Sequence, residues 1–186
     1  MTVAKGNNIW QSFKTVLVIV LLLWIILFLG FMYPLENFGI KPRTLDGLPG
    51  ILFAPFIHGG IDHLIANSIS LLVLGSIFLT MERKLSPVLL LHMIVIGGFG
   101  TWLIGRSEFT HIGASGVIYG ILGYLITMGF FRKNLKAILV SIAVFVLYGG
   151  AIWGIFPTAG FVSWESHLCG FIAGIVTAER YAKKRA

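Results

Sequence analysis

The sequence predicts an all-α integral membrane protein: a bundle of six transmembrane helices with both termini on the cytoplasmic side. Three observations predict it. Hydrophobic residues make up 57% of the 186 residues and charged residues only 11%, where an average soluble domain carries roughly 25% charged residues. Six apolar runs approach the roughly 20 residues that a spanning helix needs. Lysine and arginine fall mostly on one side of those runs. This composition excludes a disordered chain, an ordinary soluble enzyme and a nucleic-acid-binding domain. The net charge of +7 is spread too thinly between apolar runs to form a polyanion surface. A single membrane domain over residues 1–186 is expected.

The runs cover residues 13–33, 63–81, 87–104, 114–131, 137–156 and 164–182. Unpaired backbone groups in hydrocarbon cost several kcal/mol, so such runs fold as helices or closed barrels. These are too long and too uniformly apolar for barrel strands. The first run is too long for a secretory leader and lacks a small-residue cleavage site after it, so it is expected to remain as an anchor.

With the N-terminus inside, eleven of the 14 basic residues lie on the cytoplasmic side: Lys5, Lys14, Arg83, Lys84, Arg132, Lys133, Lys136, Arg180, Lys183, Lys184 and Arg185. Lys41, Arg43 and Arg106 lie outside. The asymmetry sets the orientation, and a prokaryotic plasma membrane is the expected location. Glu82-Arg-Lys reads as a solvated cytoplasmic turn. The basic tail reads as an anchor touching anionic lipid.

The first outer loop, 34–62, holds four of the six prolines, Pro34, Pro42, Pro49 and Pro55, around the apolar stretch Leu48–Ile57. Proline and glycine forbid a clean span, while the apolar content opposes full solvation. The loop is expected to be partly embedded in the outer leaflet.

Polar residues inside spans are costly, so each is a candidate site residue. Spans two, four and six all run inward, so their first turns lie at one outer level. They deliver His63 and Asn67, Ser115, and His167 to similar depth. Glycine argues that spans four and six also lie side by side. The chain has 23 glycines, about 12% against an average of about 7%. Gly116, Gly120 and Gly123 line one face of span four, and Gly170 and Gly174 share the face of His167. Small residues let membrane helices approach closely.

A serine hydroxyl is a weak nucleophile until a base removes its proton, and histidine suits that task. Ser115 is therefore the candidate nucleophile and His167 the candidate base. His63 and Asn67, four residues apart on one helical face, are candidate donors to an oxyanion. The unpaired N–H groups at the start of span four add to them. Tyr119 lies one turn below Ser115 and is positioned to pack on the imidazole. No carboxylate is well placed as a third member: Asp46 and Asp62 are in the loop, and Glu165 is on a different helical face from His167.

At these residues the sequence resembles the rhomboid family of intramembrane serine proteases. The matching features are His58 and His63-x-x-x-Asn67, then Gly113-Ala114-Ser115-Gly116 with Tyr119, then His167-x-x-Gly170-x-x-x-Gly174. They occur in the family's order on spans two, four and six, so the resemblance covers the six-span core. It implies a Ser115–His167 dyad, with His63, Asn67 and backbone N–H groups near Ser115 (Gly113, Ala114) forming the oxyanion hole. It implies that Tyr119 packs on the base and that His58 has a supporting role. It implies substrates that are membrane-anchored proteins with helix-weakening transmembrane segments, no cofactor, and a mobile gate formed by span five and loop 157–163. One departure stands out. Many members carry Trp-Arg nine and eight residues before the first loop histidine; this chain has Pro49-Gly50. A noncatalytic rhomboid-like binder of transmembrane segments is the alternative class.

The remaining polar residues read as structural. His92 is a packing or interfacial histidine, His111 a solvated loop residue, and Cys169 an inert packing residue. His58 and His63 are five residues apart, and H-E-x-x-H is absent from the sequence, so no metal site is expected. The sequence does not specify the oligomeric state.

Overall fold

The computed structural model describes residues 8–158, 160 and 162–182. Lys5, Lys183, Lys184 and Arg185, counted above toward orientation, lie outside the described residues, as do Ala159 and Phe161 of loop 157–163. The described chain is helical, and its only β-type pairing is the isolated bridge between Ile40 and His111.

The six long helices are α1 (Ile9–Gly30), α2 (Ile61–Glu82), α3 (Ser86–Ile104), α4 (Ser115–Arg132), α5 (Leu135–Tyr148) and α6 (Trp164–Thr177). Helix α2 contains one π-helical turn, Leu71–Gly75. Helix α5 continues as a 3-10 stretch, Gly149–Ile155. Helix α6 continues as a π turn, Ala178–Ala182. Helices α1 to α4 and α5 with its extension are long and apolar enough to cross a membrane. The regular part of α6 is only 14 residues, and it reaches the length expected of the sixth run through the π turn.

The ends have local causes. Asn8 accepts the N–H of Trp10 at 3.0 Å and starts α1 a turn before the apolar run. Asn134 accepts the N–H of Ala137 at 2.9 Å and starts α5. Between them Lys133, at φ 55°, ends α4 in the left-handed conformation.

Lipid offers no hydrophobic drive for helix association, so close packing carries it. The most extensive helix contact joins α4 and α6. A Cβ on Gly170 would collide with the carbonyl of Gly116, and one on Gly174 with the carbonyl of Gly120. Below this seam Tyr124, Phe78, Leu122, Leu125 and Met128 form a fully buried layer.

Glu82 departs from the reading as a solvated turn. Glu82 and Arg132 are 1% and 7% exposed and form an ion pair joining the C-terminal ends of α2 and α4. The Tyr124 hydroxyl lies 3.4 Å from the same guanidinium. Desolvating either charge alone is costly, so each residue requires the other.

The outer loop includes a short apolar helical stretch, Leu45–Phe56. It is anchored without the Trp-Arg pair. Arg43, at φ 58°, donates to the carbonyls of Leu103 and Gly105, both at 2.9 Å. Trp102 Nε1 donates to the carbonyl of Thr44 at 2.8 Å. At Gly50 a side chain would strike the carbonyl of Gly39, so the second position of the missing pair has no space for an arginine here.

Candidate active site

Ser115 is the first residue of α4 and His167 lies in the first turn of α6. The glycine seam brings the two helices together, and Ser115 Oγ meets His167 Nε2 at 3.0 Å. The other ring nitrogen, Nδ1, lies 3.0 Å from the carbonyl oxygen of Gly154. A carbonyl only accepts, so Nδ1 carries the hydrogen and Nε2 is free to accept the serine proton. Tyr119 stacks on the imidazole, with centroids 4.2 Å apart and planes 7° from parallel. Its hydroxyl donates to the carbonyl of Ala151 at 2.8 Å.

His63 and Asn67 lie against the backbone that precedes Ser115. Gly113 is at φ +118°, and a Cβ there would sit 2.6 Å from His63 Cε1 and 3.7 Å from Asn67 Nδ2. The Asn67 amide nitrogen is buried without a hydrogen-bond partner among the described residues. An unpaired buried donor costs about 1–3 kcal/mol, so an acceptor reaching that point would be bound favourably. No side chain among the described residues caps the start of α4, which leaves first-turn N–H groups for the same use.

The N–H groups of Gly113 and Ala114 have other partners. Gly113 N–H donates to the carbonyl of Ala54 at 2.9 Å. Ala114 N–H donates to His58 Nε2 at 3.3 Å. His58 therefore holds the turn that carries the serine. Burial, and then the charge of neighbouring His63, lower its pKa to about 4, so it is a neutral acceptor at neutral pH. The two rings meet edge to face at 5.1 Å.

His63, Asn67, Ser115, Tyr119 and His167 line one cavity of about 820 Å³, together with Leu74, Ile118, Leu122 and Tyr148. Its lining also includes His111, which the sequence reads as solvated. His111 is 3% exposed rather than solvated. Its Nδ1 lies 2.5 Å from Ser163 Oγ, and its Nε2 lies 3.2 Å from the Arg106 carbonyl. Burial lowers its pKa below the ordinary histidine value. Arg106 binds the fully buried Glu165 through Nε at 2.6 Å and the Val162 carbonyl through an Nη at 2.7 Å. Glu165 is thus committed to Arg106, and His167 relies on a backbone carbonyl instead. At the other end of α6, His92 Nδ1 lies 2.8 Å from Thr177 Oγ1, in a packing contact.

No group of three or more His, Cys, Asp or Glu able to hold a metal ion occurs among the described residues.

A helical membrane bundle with a serine and a histidine paired at the N-terminal ends of two glycine-packed helices defines a narrow class. The Rhomboid domain model matches residues 47–184, and the chain belongs to the rhomboid family. An uncharacterized protein of Mycobacterium tuberculosis is 43% identical over 150 residues, which is 75% of this chain and 62% of that protein. The chain thus matches about three-fifths of the length of its mycobacterial relatives. Bacillus subtilis YdcA is 26% identical over 183 residues, 91% of this chain and 90% of its own. RHOMBOID-like protein 5 of Arabidopsis thaliana is 30% identical over 128 residues, 64% of this chain and 39% of its own.

Proposed function

We propose that the chain is an intramembrane serine endopeptidase that hydrolyses peptide bonds in or near transmembrane segments of membrane-anchored proteins. The observation that carries the reading is the 3.0 Å pairing of Ser115 Oγ with His167 Nε2 inside a cavity of a membrane bundle. Ser115 Oγ attacks the scissile carbonyl as His167 Nε2 takes its proton. The oxyanion that forms is met by Asn67, His63 and the first-turn N–H groups of α4. His167 then gives the proton to the leaving amine, and water hydrolyses the acyl-enzyme by the reverse proton path.

Chain direction and charge support an orientation with both termini cytoplasmic and the cavity opening outward, in a prokaryotic plasma membrane. One membrane domain carries the activity. The substrates are segments whose helix is weak enough to unwind, because an extended backbone is needed to present a peptide bond to Ser115.

The test requires no natural substrate. The purified protein is treated with a fluorophosphonate beside Ser115→Ala and His167→Ala. Labelling mapped to Ser115 and lost in both variants supports the assignment. Mapping is essential, because Ser163 also faces a histidine nitrogen in this cavity. Absence of labelling in folded protein whose cavity admits the reagent overturns the protease reading in favour of a noncatalytic binder of membrane segments.

A further inference from the structure

The base is fixed from two sides by one segment that belongs to neither of its own helices. The Gly154 carbonyl accepts from His167 Nδ1 at 3.0 Å. The Ala151 carbonyl accepts from the Tyr119 hydroxyl at 2.8 Å, and the Tyr119 ring lies flat on the imidazole. Both carbonyls come from the 3-10 stretch Gly149–Ile155 that continues α5. One sets which ring nitrogen carries the hydrogen; the other sets the plane against which the ring rests.

That segment is lightly seated. None of its residues is buried, and Trp153 is 74% exposed. Residue 154 has to be small as well, since a Cβ there would fall on the Tyr119 hydroxyl.

We propose that the extension of α5 supplies the third, positioning group of the dyad, the Gly154 carbonyl, so that His167 is set as a base only while this extension is docked on α4 and α6. The proposal rests on the reading of Ser115 and His167 as nucleophile and base. Displacement of the lightly seated extension withdraws the carbonyl. Nδ1 loses its acceptor, the hydrogen is no longer confined to that nitrogen, and Ser115 is not activated. Proton removal resumes when the extension closes over the bound segment. Entry and chemistry are thereby separated in time.

The full-length protein labelled with ¹⁵N-histidine tests this, with His167→Ala assigning the His167 signal. We expect the Nδ1–H tautomer in the native protein and in Ser115→Ala. In Gly154→Ala the added methyl pushes the extension off Tyr119. The single tautomer is lost, and fluorophosphonate labelling of Ser115 falls about 10- to 100-fold, the range that follows loss of a partner orienting a metal-bound histidine. Removing the obstructing oxygen relieves the collision, so Gly154→Ala combined with Tyr119→Phe regains the tautomer and labels as Tyr119→Phe alone does. An Nε2–H tautomer in the native protein overturns the proposal, and that spectrum is decisive even where Gly154→Ala does not fold. Unchanged tautomer and labelling in Gly154→Ala also overturn it. The tautomer is read without turnover, so the two failures are distinct. A native protein that keeps Nδ1–H but never labels overturns the protease assignment and leaves the contact standing.

Discussion

Gly170 rests on the carbonyl oxygen of Gly116, with no room for a methyl group between them. Ser115 precedes one of these residues by one position, and His167 precedes the other by three. The backbone contact therefore sets the gap between Ser115 and His167. A larger residue at 170 forces α4 and α6 apart. Gly170→Ala is expected to lower Ser115 labelling at least tenfold, while overpacking costs only about 1–3 kcal/mol of stability. Parallel measurement of labelling and of resistance to denaturing detergent checks this. A loss of activity no larger than the stability loss accounts for counts against it.

Asn67 contributes a donor that lacks a partner until an acceptor arrives. Asn67→Ala is expected to reduce turnover about 10²- to 10³-fold, the usual consequence of losing an oxyanion donor. Stability is expected to hold or rise slightly, since a buried unpaired amide is removed. A full unfolding curve beside the turnover assay separates the two effects.

Glu82 and Arg132 are expected to behave as a unit. Removing one partner strands a buried charge, so Glu82→Gln or Arg132→Met alone is expected to cost about 3–5 kcal/mol. The double variant is expected to cost clearly less than the sum. A double-mutant cycle in detergent unfolding measures the coupling. Additive losses would show that the pair is not energetically joined.

His58 is expected to make stability pH-dependent. Its folded pKa lies near 4, below the unfolded value of 6.5. The unfolded chain takes up the proton first, so the contribution of His58 is complete above about pH 6.5 and is lost as pH falls toward 4. A His58→Gln variant is expected to flatten the stability profile between those values. An unchanged slope would show that His58 does not carry it.

The architecture was legible where it depends on periodicity and side-chain type. Apolar length located the six helices to within a few residues, because lipid leaves a backbone few alternatives. The spacing of Gly116, Gly120, Gly170 and Gly174 points to the α4–α6 seam. The juxtaposition of Ser115 with His167 followed from that seam and from chain direction.

What stayed hidden has a common cause. Arg132 looks like any basic residue at a cytoplasmic helix end, and only tertiary packing shows that Glu82 faces it. His111 sits in a polar loop, yet its ring is buried between the Ser163 hydroxyl and the Arg106 carbonyl of its own loop. The Gly154 carbonyl carries no side-chain signature at all. A backbone acceptor is available at every residue, so sequence alone cannot single one out. The anchoring of the outer loop is similar: Arg43 and Trp102 stand far apart in the chain and act on each other's backbone neighbourhoods.

Midway along α5, one side chain is bonded into the backbone of α4. Ser141 Oγ accepts from the N–H of Gly129 at 2.9 Å and donates to the carbonyl of Leu125 at 2.6 Å. These are the two groups that pair with each other in a regular helix, so Ser141 is spliced into a rung of α4. Sliding α5 along α4 would open that rung, whereas tilting α5 about it leaves the rung intact. The distance from Ser141 to Gly154 is roughly 20 Å at helical rise, so a tilt of about 3° swings the far end by about 1 Å. An ångström added to the 3.0 Å contact at His167 exceeds hydrogen-bonding range. On the mechanism proposed above, a tilt of α5 about a serine hydroxyl is therefore enough to release a single proton on His167.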